Sequence, residues 1–261
     1  MRELLQRTFF GLIYVLIVVF SLQSYDLKAL LMLFFMIMGL VEFSKLIHTS
    51  YQRALLPAFF IFMTSYLYFY KPAVNLKVLS IAFGFMLIAL FIPFIYFIFD
   101  KISRQMLADI YLSLVYLSLP FSLALGIDEK LLLSVFIIIW SSDTFAYLTG
   151  KYLGKHKLAE KISPKKTIEG LLGGLLGSLL VAFLIMKYTD WNSEIDLYRF
   201  LALALLIVIT GTLGDLLESR FKRLAGVKDS GNIIPGHGGV LDRLDSFILA
   251  IPFVFAYLLI I

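Results

Sequence analysis

Nine apolar stretches, each close to the length of a membrane-crossing helix, run through this 261-residue chain. A helix needs about 20 apolar residues to cross roughly 30 Å of hydrocarbon. The stretches are 8–25, 29–44, 54–70, 78–99, 106–127, 131–150, 171–187, 200–218 and 243–261, and Glu42 interrupts the second near its end. The first follows Arg2 and Arg7, as a signal peptide would. It runs on as Ser21-Leu-Gln-Ser-Tyr-Asp without a small-residue cleavage site, so it is kept as a span. Hydrophobic residues make up 61% of the chain and charged residues 16%, with a mean hydropathy of +0.92. Soluble chains carry about 45–50% apolar and about 25% charged residues. A soluble fold and a disordered chain are both excluded. The expected architecture is all-α, a polytopic integral membrane helical bundle of about nine transmembrane helices.

The absence of cysteine excludes disulfides, iron–sulfur clusters and zinc–thiolate sites. With only His48, His156 and His237, a histidine cage is disfavoured, and any bound cation falls to carboxylates. Seventeen of the 23 Lys and Arg residues lie at the N-terminus and in the even-numbered loops. The positive-inside rule then places those loops in the cytoplasm and the C-terminus outside. The net charge of +5 mostly reflects this asymmetry and also favours anionic lipid head groups. Only two connections are long, 151–170 and 219–242, both on the cytoplasmic side by this rule. Residues 1–130 accordingly read as a scaffold of lipid-facing helices. Residues 131–261 read as a catalytic transmembrane region carrying the two loops.

The last loop holds most of the chemistry. Arg220, Lys222, Arg223 and Lys228 precede a Pro235-Gly-His237-Gly238-Gly239 turn. Glycines there allow backbone N–H groups to point into one concavity, which suits an anion. Asp242 and Asp245 follow at i and i+3 on the entering ninth helix, and Asp215 and Glu218 have the same spacing at the end of the eighth. Carboxylates at a membrane edge are costly unless they pair or bind a cation. A few carboxylates completed by phosphate oxygens are the usual ligands of Mg²⁺. The plainer alternative is that Asp242 and Asp245 form helix-end ion pairs with Arg243, Arg220 or Arg223.

The sixth loop and its approach form a second cluster. Asp143 breaks the otherwise uncharged run 131–150, and an intramembrane Asp points to function. Hydrogen bonding to Ser141, Ser142 or Tyr147 is its plain alternative. Further on, Ser163-Pro164-Lys165-Lys166-Thr167 reads as a helix start, with Ser163 as cap and Pro164 in the first turn. A helix N-terminus there would attract phosphate, with Lys165 and Lys166 adding charge. Lys151, Lys155, Lys157 and Lys161 read as a snorkelling rim over lipid head groups. Together the loops suit a nucleoside triphosphate with Mg²⁺ reacting with a lipid. No Ser–His–Asp set and no Walker-type loop is present, and nothing points to nucleic acid.

The stretch 219–245 carries Ser219, Lys222-Arg223, Lys228-Asp229, Pro235, His237-Gly238-Gly239, Asp242-Arg243 and Asp245. It resembles, position by position, the signature of phosphatidate cytidylyltransferases (CDP-diacylglycerol synthases). The run from Asp143 to Ser163-Pro-Lys-Lys-Thr167-Ile-Glu169-Gly170 resembles that family's conserved region as well. The resemblance covers about 135–250; the first 130 residues match in hydrophobic character only. It implies the reaction of CTP with phosphatidic acid to give CDP-diacylglycerol and pyrophosphate. It also implies a requirement for Mg²⁺ and a bacterial inner-membrane location with the site on the cytoplasmic side.

On that resemblance, Asp215 and Asp242 are expected to hold the metal, with Asp245 and Glu218 as lesser ligands and carboxylates enough for a second cation. Lys165, Lys166 and the Gly238-Gly239 turn would hold the triphosphate. Ser219, Arg220, Lys222, Arg223, Lys228 and Arg243 would contact the phosphates of CTP or lipid. His237 would bond a phosphate or position the turn, and Asp143 and Glu169 would orient lysines or ligate the metal indirectly. A homodimer is compatible with this reading. Its rivals are another CTP-dependent enzyme acting on a lipid phosphate or polyprenol, and an ion-coupled membrane transporter. The transporter fits less well, because the polar groups gather at one membrane face and no inverted repeat is evident.

Overall fold

The computed structural model describes residues 2–70, 84, 91, 98, 103–191, 194–233 and 238–261. Its helices are α1 (Arg2–Ser21), α2 (Tyr25–Leu46), α3 (Tyr51–Tyr70), α4 (Arg104–Ala124), α5 (Glu129–Leu153), α6 (Ile168–Tyr188), α7 (Leu197–Leu224) and α8 (Asp245–Leu258). These coincide with eight of the nine apolar stretches. The fourth, 78–99, lies outside the described residues except for Gly84, Phe91 and Ile98, as does His237. Helices α2, α4, α5, α6 and α7 are long and apolar enough to cross a membrane; Thr8–Ser21 and α8 are apolar but shorter. The chain is therefore an all-α membrane protein, with one small exception. A two-stranded antiparallel ribbon, β1 (Lys157–Ala159) and β2 (Ser163–Thr167), pairs Lys157 with Thr167 and Ala159 with Ser163.

That ribbon corrects the expected helix start at Ser163-Pro164. Helix α6 begins four residues later, where the Thr167 hydroxyl accepts the Gly170 N–H at 3.1 Å and caps the first turn. Ser163 and Pro164 instead lie in β2. A two-stranded ribbon tolerates Pro164, because an edge residue can do without an N–H.

The chain divides into two compact units, Met1–Gly126 with Asp229–Arg243, and Ile127–Lys228 with Leu244–Ile261. The long loop 219–242, read from sequence as one piece of the C-terminal region, is thus shared between them at Lys228/Asp229.

In the first unit, α2 is apolar on all sides and correspondingly buried. Met32, Phe35, Met36, Leu40 and Phe43 pack with Ala58 and Phe62 of α3 and Leu117 and Phe121 of α4 to form the core. Gly39 allows α4 to come close, since a Cβ there would lie 3.1 Å from Leu117. Ser24 caps α2 by accepting the Leu27 N–H. The buried Lys28 ammonium donates to Leu125 O at 3.2 Å, placing a cation on the C-terminal carbonyls of α4. Helix α4 widens into a π turn at Leu114–Ser118, just before Pro120, which has no N–H for the regular ladder.

In the second unit, α5 starts at Asp128, whose carboxylate accepts the N–H groups of Lys130 and Leu131. Helices α5 and α6 touch along glycines. A Cβ on Gly170 or Gly174 would lie 2.9 Å from Ala146 O or Ser142 O, and one on Gly173 or Gly177 would strike Thr149 or Phe145. Such small-residue stripes let membrane helices approach backbone to backbone. Gly211 and Gly214 do the same for α7 against Ser246 and Asp245 of α8, and Phe136 stacks on Phe247 at 4.7 Å to tie α5 to α8.

Candidate active site

A cavity of about 440 Å³ opens within the second unit. Helix α5 contributes Ser142, Asp143, Ala146, Tyr147, Gly150 and Lys151. Lys165, Lys166 and Thr167 come from β2 with Leu158 beside them, Gly170 and Leu171 from α6, Thr212 and Asp215 from α7, and Ser246 from α8. Its wall therefore combines three lysines, two aspartates and several hydroxyls with an apolar part. The glycine contacts make this possible, because close approach of α5 and α6 brings Asp143 within reach of the same space as β2.

The sequence-predicted residues Asp143, Lys165, Lys166 and Asp215 are thus brought together. Lys166 Nζ pairs with Asp215 Oδ2, and Asp215 Oδ1 accepts the Ser219 hydroxyl at 3.3 Å. Asp143 is exposed to the cavity, while Ser141, one of its suggested partners, turns to Ile138 O and Ser178. Asp245, at the start of α8, lies in the electrostatic field of Asp215, Glu218 and Asp143, and its Oδ1 accepts its neighbour's Ser246 N–H at 2.6 Å.

Other candidates are engaged elsewhere. Glu218 is fully buried and pairs with Lys222 one turn on, and neither lines the cavity. Arg223 donates to Ile162 O at the ribbon tip and to Val227 O, so it holds the loop in shape. Arg220 and Lys228 are exposed. Glu169 accepts the N–H groups of Lys155 and His156 and sits 2.6 Å from His156 Nδ1, strapping the turn that leads from α5 into β1. Its bonds run to backbone N–H groups and to His156 rather than to a lysine ammonium.

The glycine turn belongs to the first unit. Asp242 Oδ2 accepts Ser230 N–H at 2.9 Å, the Ser230 hydroxyl at 3.0 Å and Gly239 N–H at 2.8 Å. Gly238 has φ +89°, a left-handed backbone that favours glycine, and a Cβ there would lie 2.7 Å from Asp242 Oδ2. The Gly239 N–H, expected to face an anion, therefore faces a carboxylate of its own chain, which lies only three residues away. Arg243 is exposed on the 3₁₀ turn Leu241–Arg243.

Sequence reasoning undervalued two residues. Lys151, assigned to the lipid rim, lines the cavity. Glu42, noted only as an interruption, is completely buried and accepts N–H bonds from Val240 and Leu241. A carboxylate in an apolar helix was the available signal for Glu42. Nothing in the local pattern of Lys151 separated it from its neighbouring lysines.

Among the described residues, no group of three or more carboxylates or histidines converges as a ready-made metal cage. The cavity does present an all-oxygen donor set, Asp143 and Asp215 with Ser142, Thr212 and Ser246. That set suits a hard cation such as Mg²⁺, which takes one or two carboxylates and completes its shell with phosphate and water. The residues present fit such an ion.

A sequence profile described as "Cytidylyltransferase family" matches residues 5–261. A protein of Staphylococcus aureus (strain COL) named phosphatidate cytidylyltransferase is 42% identical over 121 residues, 46% of this chain and 46% of that protein. One of the same name from Haemophilus influenzae (strain ATCC 51907 / DSM 11121 / KW20 / Rd) is 48% identical over 129 residues, 49% of this chain and 44% of that protein. The aligned stretch thus spans less than half the length of each relative.

Proposed function

The chain belongs to the cytidylyltransferase family, and on that premise we propose that it transfers a cytidylyl group from CTP to phosphatidic acid, releasing pyrophosphate. The observation that carries this reading is the cavity that sets Lys151, Lys165 and Lys166 beside Asp143 and Asp215, with an apolar part of its wall next to them. Cations for a triphosphate, carboxylates for a divalent ion and an apolar surface for a lipid stem meet in one space. The names of the relatives support phosphatidic acid as the acceptor, since the apolar residues would admit other lipid phosphates too.

An oxygen of the lipid phosphate attacks the α-phosphorus of CTP. A bond forms between them, the bond from the α-phosphorus to the bridging oxygen breaks, and pyrophosphate leaves with that electron pair. A phosphate oxygen is already ionised at neutral pH, so this chain supplies position and charge rather than a strong base. Lys165 and Lys166 neutralise the triphosphate, and Lys151 supports the same charge from α5. Asp215 holds Lys166 in place through their ion pair. We assign Mg²⁺ to Asp143 and Asp215, with Asp245 behind them; when bound it would neutralise phosphate charge. Asp242 is assigned to shaping the glycine turn of the first unit, and Gly238 and Arg243 stay candidates for binding phosphate. The positive-inside asymmetry supports nine spans, a cytoplasmic site and an external C-terminus. No observation favours a transporter.

The direct test is incubation of the purified chain with radiolabelled CTP, Mg²⁺ and phosphatidic acid. Label is expected in a lipid-soluble product with equimolar pyrophosphate. Absence of both across a Mg²⁺ titration would overturn the reading.

A further inference from the structure

We propose that Glu42 is a positioning residue for the glycine turn of the first unit, gripping Ser230, Val240 and Leu241 so that the described residues around Gly238 and Arg243 keep their conformation. The cytidylyltransferase reading enters only in the kinetic arm of the test.

Glu42 is 0% exposed in the apolar helix α2. Burying a carboxylate there costs several kcal/mol unless its oxygens are fully hydrogen-bonded. The bonds come from one distant segment: Val240 N–H to Oε1 at 3.0 Å, Leu241 N–H to Oε2 at 2.8 Å, and the Ser230 hydroxyl to Oε2 at 3.1 Å. The segment is shaped around this carboxylate at both ends. A Cβ on Gly231 would lie 2.5 Å from Glu42 Oε1, and one on Gly239 would lie 2.5 Å from Oε2. A side chain at either position would displace the acid.

Asp242 completes the arrangement. It takes the Gly239 N–H while Glu42 takes the next two, so three successive amides end on two carboxylates. Ser230 stands between the acids, 3.0 Å from Asp242 and 3.1 Å from Glu42. Asp242 acts within the loop. Glu42 comes from a separate helix and ties the loop to the rigid core formed by Phe43, Leu40 and Met36. Neutralising the acid while keeping its shape would put an amide N–H against backbone N–H groups, a repulsive contact.

The test uses full-length Glu42→Gln and Glu42→Ala beside the wild type. Trypsin cleavage at Arg243 should quicken about fivefold or more in both. The KM for CTP should rise about tenfold while the KM for phosphatidic acid stays within about twofold. Cleavage at the wild-type rate overturns the proposal. So does a fall in Vmax with both KM values unchanged, which is the mark of a purely structural role. If Glu42→Ala fails to fold, Glu42→Gln decides. If the wild type transfers no cytidylyl group, the functional reading fails, and the cleavage rates still decide what Glu42 does.

Discussion

Lys166 and Asp215 form an ion pair that joins the β ribbon to α7 across the wall of the cavity, each side chain remaining about one-quarter exposed at 26% and 28%. The pair is reachable by substrate, so its charges are held in place without being used up. On the proposed reading, a triphosphate arriving beside Lys166 would meet a cation already oriented by a carboxylate.

Removing Lys166 should therefore cost catalysis more than stability. Lys166→Ala is expected to lower kcat/KM for CTP by about 10²–10³, the scale of losing one preorganised charge contact at a reacting phosphate. The double variant with Asp215→Asn should be little worse than the poorer single variant, because the two residues act as one unit. Steady-state kinetics of all three against CTP checks this; an unchanged kcat/KM in Lys166→Ala would remove the lysine from the site.

Asp143 is exposed and lines the cavity from α5, and Asn keeps its size and shape, so Asp143→Asn should insert and fold normally. If it holds Mg²⁺, the midpoint of Mg²⁺ activation should move up by about tenfold or more. Chelation with EDTA should abolish activity in the wild type and excess Mg²⁺ should restore it. An activation curve superimposable on the wild type would reassign Asp143 to hydrogen bonding within the bundle.

Gly174 sets the distance between α5 and α6. Gly174→Val would force branched carbons against Ser142 O and Ala146, and overpacking of this kind costs about 1–3 kcal/mol. Gly226→Ala is the comparison: its φ of +71° strains an added Cβ, but no neighbour lies within 4 Å. Thermal unfolding in detergent should show a lower Tm for Gly174→Val than for Gly226→Ala, together with loss of activity only in the former.

Because the chain contains no cysteine, sidedness can be read from single introduced thiols. Lys157→Cys in the ribbon and Tyr198→Cys, which is 84% exposed at the start of α7, lie at opposite ends of the helices that separate them. In intact cells a membrane-impermeant maleimide should label Tyr198→Cys and spare Lys157→Cys. The reverse pattern would invert the proposed topology.

Much of the site was legible because its residues break strong local rules. An Asp inside an apolar run, or two lysines before a glycine-rich helix, stands out without any knowledge of neighbours, and Asp143, Lys165, Lys166 and Asp215 do share one cavity. The boundary at Ser163-Pro164 was misread because Ser-Pro is an acceptable helix start and an equally acceptable ribbon edge. Strand pairing of β2 with β1 and the Thr167 cap decided between them.

Hydrophobic period and length, which act residue by residue, settled by themselves that the chain is a bundle of apolar helices and where most of those helices lie. The pairings of its charged groups depend on which helices touch, and that is a property of packing. Only the tertiary structure showed Glu218 bonded to Lys222, Asp242 closing its own turn, and Glu42 reaching nearly two hundred residues along the chain to Val240 and Leu241. A buried carboxylate must find donors wherever the fold supplies them, and its sequence neighbours carry no record of which ones it found.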